Sequence, residues 1–181
     1  ECFEELITDK TRVVFAETIG NPKLDVTDIK AVADVAHAHG IPLIVDNTVS
    51  TPYLIQPITL GADVVVNSSS KYINGSSDAI SGILTFNGKF KFDKETYPGL
   101  KPYLKFGPMA YIIKLRNGLF RNTGGCLSPQ NAFLNNLGLE TLGLRMERHC
   151  SNAYELARYL DTFEGITVNY PGLESSPYHE V

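Results

Sequence analysis

Short apolar runs alternate with amphipathic stretches through the first 90 residues, and this alternation constrains the fold more than any other feature. Three of the runs are apolar almost throughout, which is typical of strands that are covered on both faces. Such strands, separated by helices, indicate βαβ units and therefore an α/β fold with a mostly parallel sheet. The predicted strands are Arg12–Ala16, Pro42–Asp46, Ala62–Val66 and Gly82–Phe86.

The segment between the first two strands predicts an amphipathic helix, because its apolar residues recur at helical spacing. Asp25 or Thr27 can cap its N-terminus, and Gly40 is suited to end it. The apolar face that we expect to be buried consists of Ile29, Val32, Ala33 and Ala36.

The second half of the chain is mainly helical in pattern. One helix is predicted over Ala110–Phe120, and a longer helical run over Ser128–Phe163. The longer run opens with a Ser–Pro pair, a strong signal for a cap followed by the first helical residue. Gly138 and Gly143 are the positions where we expect this run to kink or divide.

These patterns predict three parts of unequal size. Residues 1–127 belong to a large α/β domain, residues 128–165 form a connecting helical segment, and residues 166–181 begin a smaller domain whose first strand is Ile166–Tyr170. Doubly wound sheets usually have about five or more strands, which is more than this chain supplies. We therefore expect the 181 residues to be part of a longer polypeptide, with the smaller domain truncated.

Composition excludes several classes of protein. Hydrophobic residues make up 43% and charged residues 20%, values typical of a globular domain. The net charge of −4 gives no bulk attraction to nucleic acid or to an anionic membrane, and no apolar run approaches the length of a membrane span. The three cysteines are far apart in the sequence, which favours a reduced, cytoplasmic setting and no metal site.

Common nucleotide and hydrolase motifs do not occur. The sequence contains no G-x-G-x-x-G, no complete P-loop and no G-x-S-x-G elbow, so a nucleotide-binding module is disfavoured. His37 and His39 lie two positions apart on a predicted helix and cannot face one metal ion together. We expect both to be ordinary residues of the helix surface or its last turn.

Asp46 and Lys71 are the chemically informative pair. Asp46 closes one predicted strand, and Lys71 follows the next strand after a run of serines. Open α/β sheets bind ligands at the carboxyl ends of their strands, and neighbouring strands lie about 4.8 Å apart. A carboxylate and an amine at this edge could therefore bracket one aromatic ring.

Pyridoxal phosphate (PLP) fits such a bracket. It requires a lysine for its aldehyde, an acid at its ring nitrogen, and hydroxyl or N–H donors for its phosphate. Lys71, Asp46 and the hydroxyls of Ser68 and Ser70 offer these groups. The same residues could also be a helix cap, a solvated serine loop and a surface lysine. Spacing alone therefore leaves the cofactor-binding and the purely structural interpretation open.

Several ordered motifs resemble the PLP signature of the Cys/Met metabolism enzymes, and most of all the sulfhydrylase branch. The resemblance covers nearly the whole chain. It is carried by ETIGNP at 17–22, DNT at 46–48, TPY at 51–53, GADVVV at 61–66, SSSKYI at 68–73, LSPQNAFL at 127–134 and GLETLGLRMERH at 138–149.

The resemblance implies a fold type I PLP-dependent transferase, similar to aspartate aminotransferase, and it implies roles for single residues. Lys71 would hold the cofactor as a Schiff base and move protons between substrate carbons. Asp46 would keep the ring nitrogen protonated. Asn21 would contact the phenolic oxygen and Thr48 would lie near the ring.

Ser68 and Ser70 would bind the phosphate. Ser70 stands where the family more often has threonine, which keeps the hydroxyl and bears only on fine geometry. Two other departures leave the cofactor chemistry intact and bear on the choice of thiol or ester. The proline usual before the loop asparagine is replaced within residues 18–21, and residues 74–76 are Asn-Gly-Ser in place of Gly-Gly-His.

The implied reaction is γ-replacement on O-acetylhomoserine with sulfide or a thiol. A cystathionine γ-synthase, a cystathionine or methionine γ-lyase, and a non-catalytic fragment or degenerate paralogue stay open as alternatives. The resemblance also implies a cytoplasmic homotetramer, a dimer of dimers with shared active sites. The ring-stacking tyrosine, the glycine-rich phosphate loop and the substrate-binding arginine would lie outside the 181 residues.

Overall fold

The computed structural model describes residues 3–181, and its centre is a four-stranded sheet. The strands are β1 (Val14–Glu17), β2 (Leu43–Asp46), β3 (Val64–Asn67) and β4 (Ile83–Phe86), in that order across the sheet. β1, β2 and β3 run parallel, whereas β4 is antiparallel to β3. The mostly parallel sheet is confirmed, and each strand begins one or two residues after its predicted start.

Seven α-helices accompany the sheet within residues 3–181. They are α1 (Phe3–Leu6), α2 (Ile29–Ala38), α3 (Thr51–Leu54), α4 (Ala110–Leu115), α5 (Arg121–Thr123), α6 (Pro129–Glu140) and α7 (Leu142–Leu160). A π-helical turn, Arg116–Phe120, joins α4 to α5. Two 3₁₀ segments, Pro57–Leu60 and Pro98–Met109, lie in the connections.

Helix α2 packs its apolar face on β1 and β2, and all four residues of the predicted face are buried. The predicted caps are wrong. Asp28, rather than Asp25 or Thr27, accepts a hydrogen bond from the amide of Ala31 at 2.9 Å. The helix begins at Ile29, so only the residue directly before it can reach the third amide.

The long helical run is divided into α6 and α7. The Ser128 side chain caps α6 by accepting from the Asn131 amide, as predicted. The division falls at Thr141, which has φ −110°, between the two glycines that the sequence offers as break points. The α6–α7 junction packs on Ile73, which forms a small core cluster with Leu142 and Met146.

The predicted strand at Ile166–Tyr170 is wrong. The segment is non-regular and mostly exposed, and no described strand pairs with it. A β-branched, apolar segment becomes a strand only where a neighbouring strand accepts its backbone hydrogen bonds. Across residues 3–181, none of the helices combines the length and apolar character that a membrane crossing requires.

Candidate functional site

The carboxyl ends of β2 and β3 place the two predicted reactive segments side by side. Asp46 is the last residue of β2 and pairs in register with Val66 of β3. The turn that carries Lys71 begins directly after β3 ends at Asn67. The parallel arrangement that the sequence predicts for these two strands is therefore the one that gathers the site at one edge of the sheet.

A cavity of about 500 Å³ opens at this edge, and it is lined by Asn21, Thr48 and Lys71 together with residues of the turn and of α7. Its volume lies within the range of about 300–1,000 Å³ that is usual for small-molecule sites. The lining that the sequence analysis did not identify consists of Val49, Tyr72, Gly75, Ser77, Arg145 and His149. Three of the six predicted site residues therefore line one cavity, and the other three lie outside its lining.

Asp46, Thr48 and Ser68 form a hydrogen-bonded chain that joins β2 to β3. Oδ1 of Asp46 accepts from the Thr48 amide at 2.9 Å and from the Thr48 hydroxyl at 2.6 Å. The same hydroxyl accepts from the amide of Ser68 at 2.8 Å. Thr48 thus holds the Asp46 carboxylate in one orientation and couples it to the residue that opens the lysine turn.

The second carboxylate oxygen, Oδ2 of Asp46, has no hydrogen-bond partner among residues 3–181. Asp46 is half-buried and hydrogen-bonded to Thr48, which lines the cavity, and the lone pairs of Oδ2 stay uncommitted. A carboxylate fixed through one oxygen and open at the other is suited to accept a proton donor such as a ring N–H.

Lys71 is exposed at the mouth of the cavity, and the ion pairs found in the described part of the chain do not include it. Its backbone is ordered by the turn: the Lys71 amide donates to the Ser68 carbonyl at 3.1 Å, and the Lys71 carbonyl accepts from Gly75 at 2.8 Å. The amine is therefore carried on an ordered backbone and is free to react.

The three serines before Lys71 have different surroundings. The Ser70 hydroxyl donates to the carbonyl of Ser81 at 3.1 Å and accepts from its amide at 2.7 Å. The Ser69 hydroxyl donates to the Ser81 hydroxyl at 2.7 Å. The hydroxyl of Ser68 has no partner in the described range of the chain. In this arrangement Ser70 fixes the loop that precedes β4, while the Ser68 hydroxyl is available to a ligand.

Asn21 reaches the cavity from the loop after β1. Its amide donates to Oε2 of Glu17 at 3.1 Å, which ties the loop to the end of that strand. Glu17 in turn pairs in register with Asp46. The ends of three neighbouring strands therefore contribute to one site.

Helix α7 contributes the part of the site that the sequence analysis missed. Arg145 and His149 line the cavity, and the His149 ring packs edge-on against Tyr72 with centroids 5.8 Å apart. Both residues belong to the GLETLGLRMERH motif. The one signal in the sequence was their spacing. Residues four apart lie on the same side of a helix, which predicts that both face the same neighbour.

Helix α7 also contacts α3 through a hydrogen bond from the Tyr53 hydroxyl to Glu147 at 2.5 Å. Donation to this carboxylate raises the pKa of Tyr53, because the bond stabilises the neutral phenol. Gly143 permits the approach: a Cβ there would lie 2.9 Å from the Tyr53 ring.

Elsewhere the described residues offer no comparable chemistry. A separate cavity of about 410 Å³ is lined by apolar and aromatic side chains with Arg12 and Lys114, and no carboxylate lines it. No group of three or more His, Cys, Asp or Glu side chains gathers to bind a metal within residues 3–181. A further cavity of about 500 Å³ is lined by Asp63, Lys89 and Lys91, but both carboxylate oxygens of Asp63 accept hydrogen bonds from protein groups, so that carboxylate is committed to the fold.

Comparison with known proteins extends these observations. The whole chain, residues 1–181, matches the family described as Cys/Met metabolism PLP-dependent enzyme. It is 44% identical to the homocysteine/cysteine synthase of Kluyveromyces lactis over 99% of this chain. It is 43% identical to the O-acetyl-L-homoserine sulfhydrylase of Leptospira meyeri, again over 99% of this chain. The matches cover 44% and 47% of those two proteins.

Solved structures agree with the sequence relatives. A structure of O-acetylhomoserine sulfhydrylase from Wolinella succinogenes superposes with a TM-score of 0.86 at 46% identity, covering 97% of this chain and 50% of that one. A putative O-acetylhomoserine (thiol)-lyase from Campylobacter jejuni, which contains a pyridoxyl-lysine phosphate, superposes with a TM-score of 0.87 at 35% identity. The expected fold type I architecture is confirmed, and the chain spans about half the length of the relatives that it matches.

Proposed function

The chain belongs to the family of Cys/Met metabolism PLP-dependent enzymes, and from that premise we propose that the intact protein replaces the γ-substituent of O-acetylhomoserine with sulfide or a thiol. PLP is the cofactor of this family. One observation carries the assignment of the site. Lys71 and Thr48 line one cavity at the carboxyl ends of β2 and β3, and the Thr48 hydroxyl holds the carboxylate of Asp46.

The residues present fit this cofactor. The cavity of about 500 Å³ has the size of a small-molecule site, its lining includes the unpaired Lys71, and Thr48 in the same lining orients the Asp46 carboxylate. PLP supplies, when bound, an electron sink for negative charge that develops at the substrate α-carbon. Lys71 would hold the cofactor covalently through Nζ, and the same nitrogen would afterwards carry protons between substrate carbons.

Asp46 would accept the N–H of the cofactor ring through Oδ2, the oxygen that Thr48 leaves uncommitted. A carboxylate next to the ring nitrogen would favour its protonated form. Thr48 would orient the carboxylate, and Asn21 would donate to the phenolic oxygen from the β1 loop. These roles match the positions of the two residues in the cavity lining.

Ser68 and Ser70 would bind the phosphate. The free hydroxyl of Ser68 supports its part. Ser70 would have to exchange its hydrogen bond to the Ser81 carbonyl for one to phosphate, or act through its backbone. The contribution of Ser68 is therefore expected to be the larger of the two.

The names of the relatives support replacement by sulfide over the alternatives. Homocysteine/cysteine synthase and O-acetyl-L-homoserine sulfhydrylase both describe incorporation of sulfur into an activated amino acid. A cystathionine γ-synthase, a γ-lyase and a non-catalytic paralogue are distinguished from this function by the experiment below.

The organisation of the intact protein is part of the same proposal. We infer a cytoplasmic homotetramer built as a dimer of dimers, with active sites shared between subunits. Within it, residues 1–127 would belong to the large domain, residues 128–165 to the connecting segment and residues 166–181 to the start of the small domain. Membership of the family supports this organisation.

The test uses the intact protein in two steps. Borohydride reduction of the cofactor-loaded protein followed by peptide mapping should find the pyridoxyl group on Lys71, and Lys71→Ala should abolish it. Labelling of Lys114 instead would overturn the assignment. The protein should then release acetate from O-acetylhomoserine faster with sulfide than with cysteine. Preference for cysteine would indicate cystathionine synthesis, turnover of methionine without added thiol would indicate a lyase, and loading without turnover would indicate a degenerate paralogue.

A further inference from the structure

Arg145 of α7 makes an unusual set of contacts with the turn that carries Lys71. Its Nη1 donates to the carbonyl of Tyr72 at 2.6 Å, and its Nη2 donates to the carbonyl of Ile73 at 3.3 Å. These are the two residues directly after Lys71. One guanidinium therefore holds two consecutive carbonyls of the lysine turn.

The same guanidinium is anchored at the junction of α6 and α7. Nη2 also donates to the carbonyl of Gly138 at 2.8 Å, and Nε donates to the Thr141 hydroxyl at 3.1 Å. An arginine has five N–H groups, and four hydrogen bonds are made here to backbone carbonyls and a hydroxyl. Only one N–H, on Nη1, is left for any other partner.

Arg145 has no acidic partner among residues 3–181. It is half-buried and lines the cavity. A charged group without an ion pair needs hydrogen bonds there to offset its loss of hydration. Its N–H groups are directed to the turn and to the helix junction, so the planar geometry of the guanidinium is what lets it contact several carbonyls at once.

Two glycines leave room for the guanidinium and for the close approach of the backbone around it. Gly75 has φ +82°, and a Cβ there would lie 2.7 Å from Cζ of Arg145. A Cβ on Gly138 would lie 2.2 Å from the Asn74 carbonyl oxygen and 2.4 Å from that of Ile73. The turn and the α6–α7 junction thus approach each other as closely as two glycines allow, with the guanidinium between them.

We propose that Arg145 is a positioning residue for Lys71: it clamps the Tyr72 and Ile73 carbonyls to the α6–α7 junction and so fixes where the Lys71 amine stands over the substrate. The proposal rests on the proposed function. Small displacements of a group that transfers protons cost large factors in rate, so loss of the clamp should lower kcat more than it raises KM.

The test compares Arg145→Lys and Arg145→Met with Arg148→Lys in the intact protein. Arg148 is an exposed arginine on the same helix and serves as the matched control. Lysine keeps the charge but has three N–H donors on a single nitrogen, so it cannot bond the three carbonyls and the hydroxyl that Arg145 holds. We expect both Arg145 variants to lose about tenfold or more in kcat with KM within about threefold, and the control to be unchanged.

Two further readouts do not depend on turnover. Amide hydrogen exchange in the protein without cofactor should accelerate at Asn74 and Gly75, whose amides close the turn, in both Arg145 variants. The visible circular dichroism per bound cofactor should fall, because the cofactor would be held at a displaced lysine. Thr141→Val removes the Nε acceptor and the long hydrogen bond from the Thr141 hydroxyl to the Gly138 carbonyl. It should show a smaller version of each effect, and it replaces the Arg145 variants if they do not fold.

Wild-type exchange and kcat in Arg145→Lys would overturn the proposal, because charge alone would then suffice. A selective rise in KM would also overturn it and would make Arg145 a binding residue. If the wild-type protein binds no cofactor at Lys71, the proposed function fails, whereas the exchange measurement still reports on the clamp.

Discussion

The orientation of Asp46 by Thr48 gives the sharpest prediction about catalysis. Thr48→Val is nearly isosteric, but it removes the hydroxyl that donates to Oδ1 of Asp46 at 2.6 Å and accepts from Ser68 at 2.8 Å. The Thr48 amide still donates to Oδ1, so the carboxylate keeps one of its two restraints. We expect slower removal of the substrate α-proton with little change in cofactor binding.

The magnitude follows from the two lost bonds. A hydrogen bond to a charged acceptor contributes about 1.5–3 kcal/mol, and a neutral one about 0.5–1.5 kcal/mol. Both Asp46 and Thr48 are half-buried, so water replaces part of each bond and the lower ends of these ranges apply. We expect a loss of about 2 kcal/mol in the free energy of unfolding. If the hydroxyl's bond to Oδ1 contributes its full value of about 1.5 kcal/mol to the transition state, its loss corresponds to roughly tenfold in rate.

The assay follows hydrogen–deuterium exchange at the α-carbon of an amino acid without a γ-leaving group, by proton NMR in the cofactor-loaded intact protein. Rates are normalised to bound cofactor, measured by its visible absorbance, so that partial unfolding does not count as lost catalysis. Thr48→Ser keeps the hydroxyl and is the matched control. Asp46→Ala, which removes the carboxylate itself, sets the largest effect available at this position.

Thr48→Val should exchange about tenfold more slowly than the wild type, with Thr48→Ser close to the wild type. The reasoning fails if Thr48→Val exchanges at the wild-type rate. It also fails if Asp46→Ala does so, since the carboxylate would then be no more than the acceptor of a local turn.

Two further predictions concern α6, α7 and the neighbours of these helices. Gly138→Ala should lower the free energy of unfolding by about 1–3 kcal/mol in urea titrations, because its Cβ would overlap the carbonyl oxygens of the lysine turn. Gly118→Ala is the control, since a Cβ there would meet only the Lys114 side chain at 3.6 Å or more, and equal losses in both variants would contradict the argument. Glu147→Ala should lower the pKa of Tyr53 toward 10.0, because the carboxylate that accepts a hydrogen bond from its hydroxyl is gone. Ultraviolet titration measures the pKa of Tyr53, with Tyr53→Phe giving the background from the other tyrosines. An unchanged pKa in Glu147→Ala would show that Glu147 is not the cause.

The sheet could be predicted from sequence because burial of a strand on both faces leaves a direct mark. Leu43, Val45 and Val64 are nearly inaccessible, and each lies in a run that is apolar almost throughout. The position of Asp46 and of the lysine turn then follows from the rule that parallel strands end at one edge. This part of the site needed no knowledge of side-chain contacts.

Contacts between segments that are distant in sequence could not be predicted in the same way. The predicted strand at Ile166–Tyr170 shows the limit for the fold, because its pattern has no described strand to pair with. Ser70 shows the limit for the site. The sequence predicts that a hydroxyl next to Lys71 binds phosphate, but in the folded protein this hydroxyl donates its hydrogen bond to the Ser81 carbonyl.

Glycines in the helical run illustrate how one residue type can be misinterpreted. Gly138 and Gly143 were natural candidates to break the run, because glycine destabilises helix interiors. The run divides at Thr141, and both glycines stay helical while permitting close contacts, Gly138 with the lysine turn and Gly143 with Tyr53. The cost of glycine in these helices is offset by an approach that no other side chain permits.

This packing changes the meaning of the segment 128–165, which the sequence suggested as a connection between domains. A connecting helix would contact the sheet only to bury an apolar face. Here Leu142 and Met146 bury Ile73, the second residue after Lys71. Arg145, which lies between them in the sequence, donates hydrogen bonds to the carbonyls of Tyr72 and Ile73. Apolar and polar contacts from one helical turn therefore act on the same few atoms of backbone. If Lys71 is the reactive lysine, as proposed, a substitution in this helix would reach its amine through that backbone without touching a ligand.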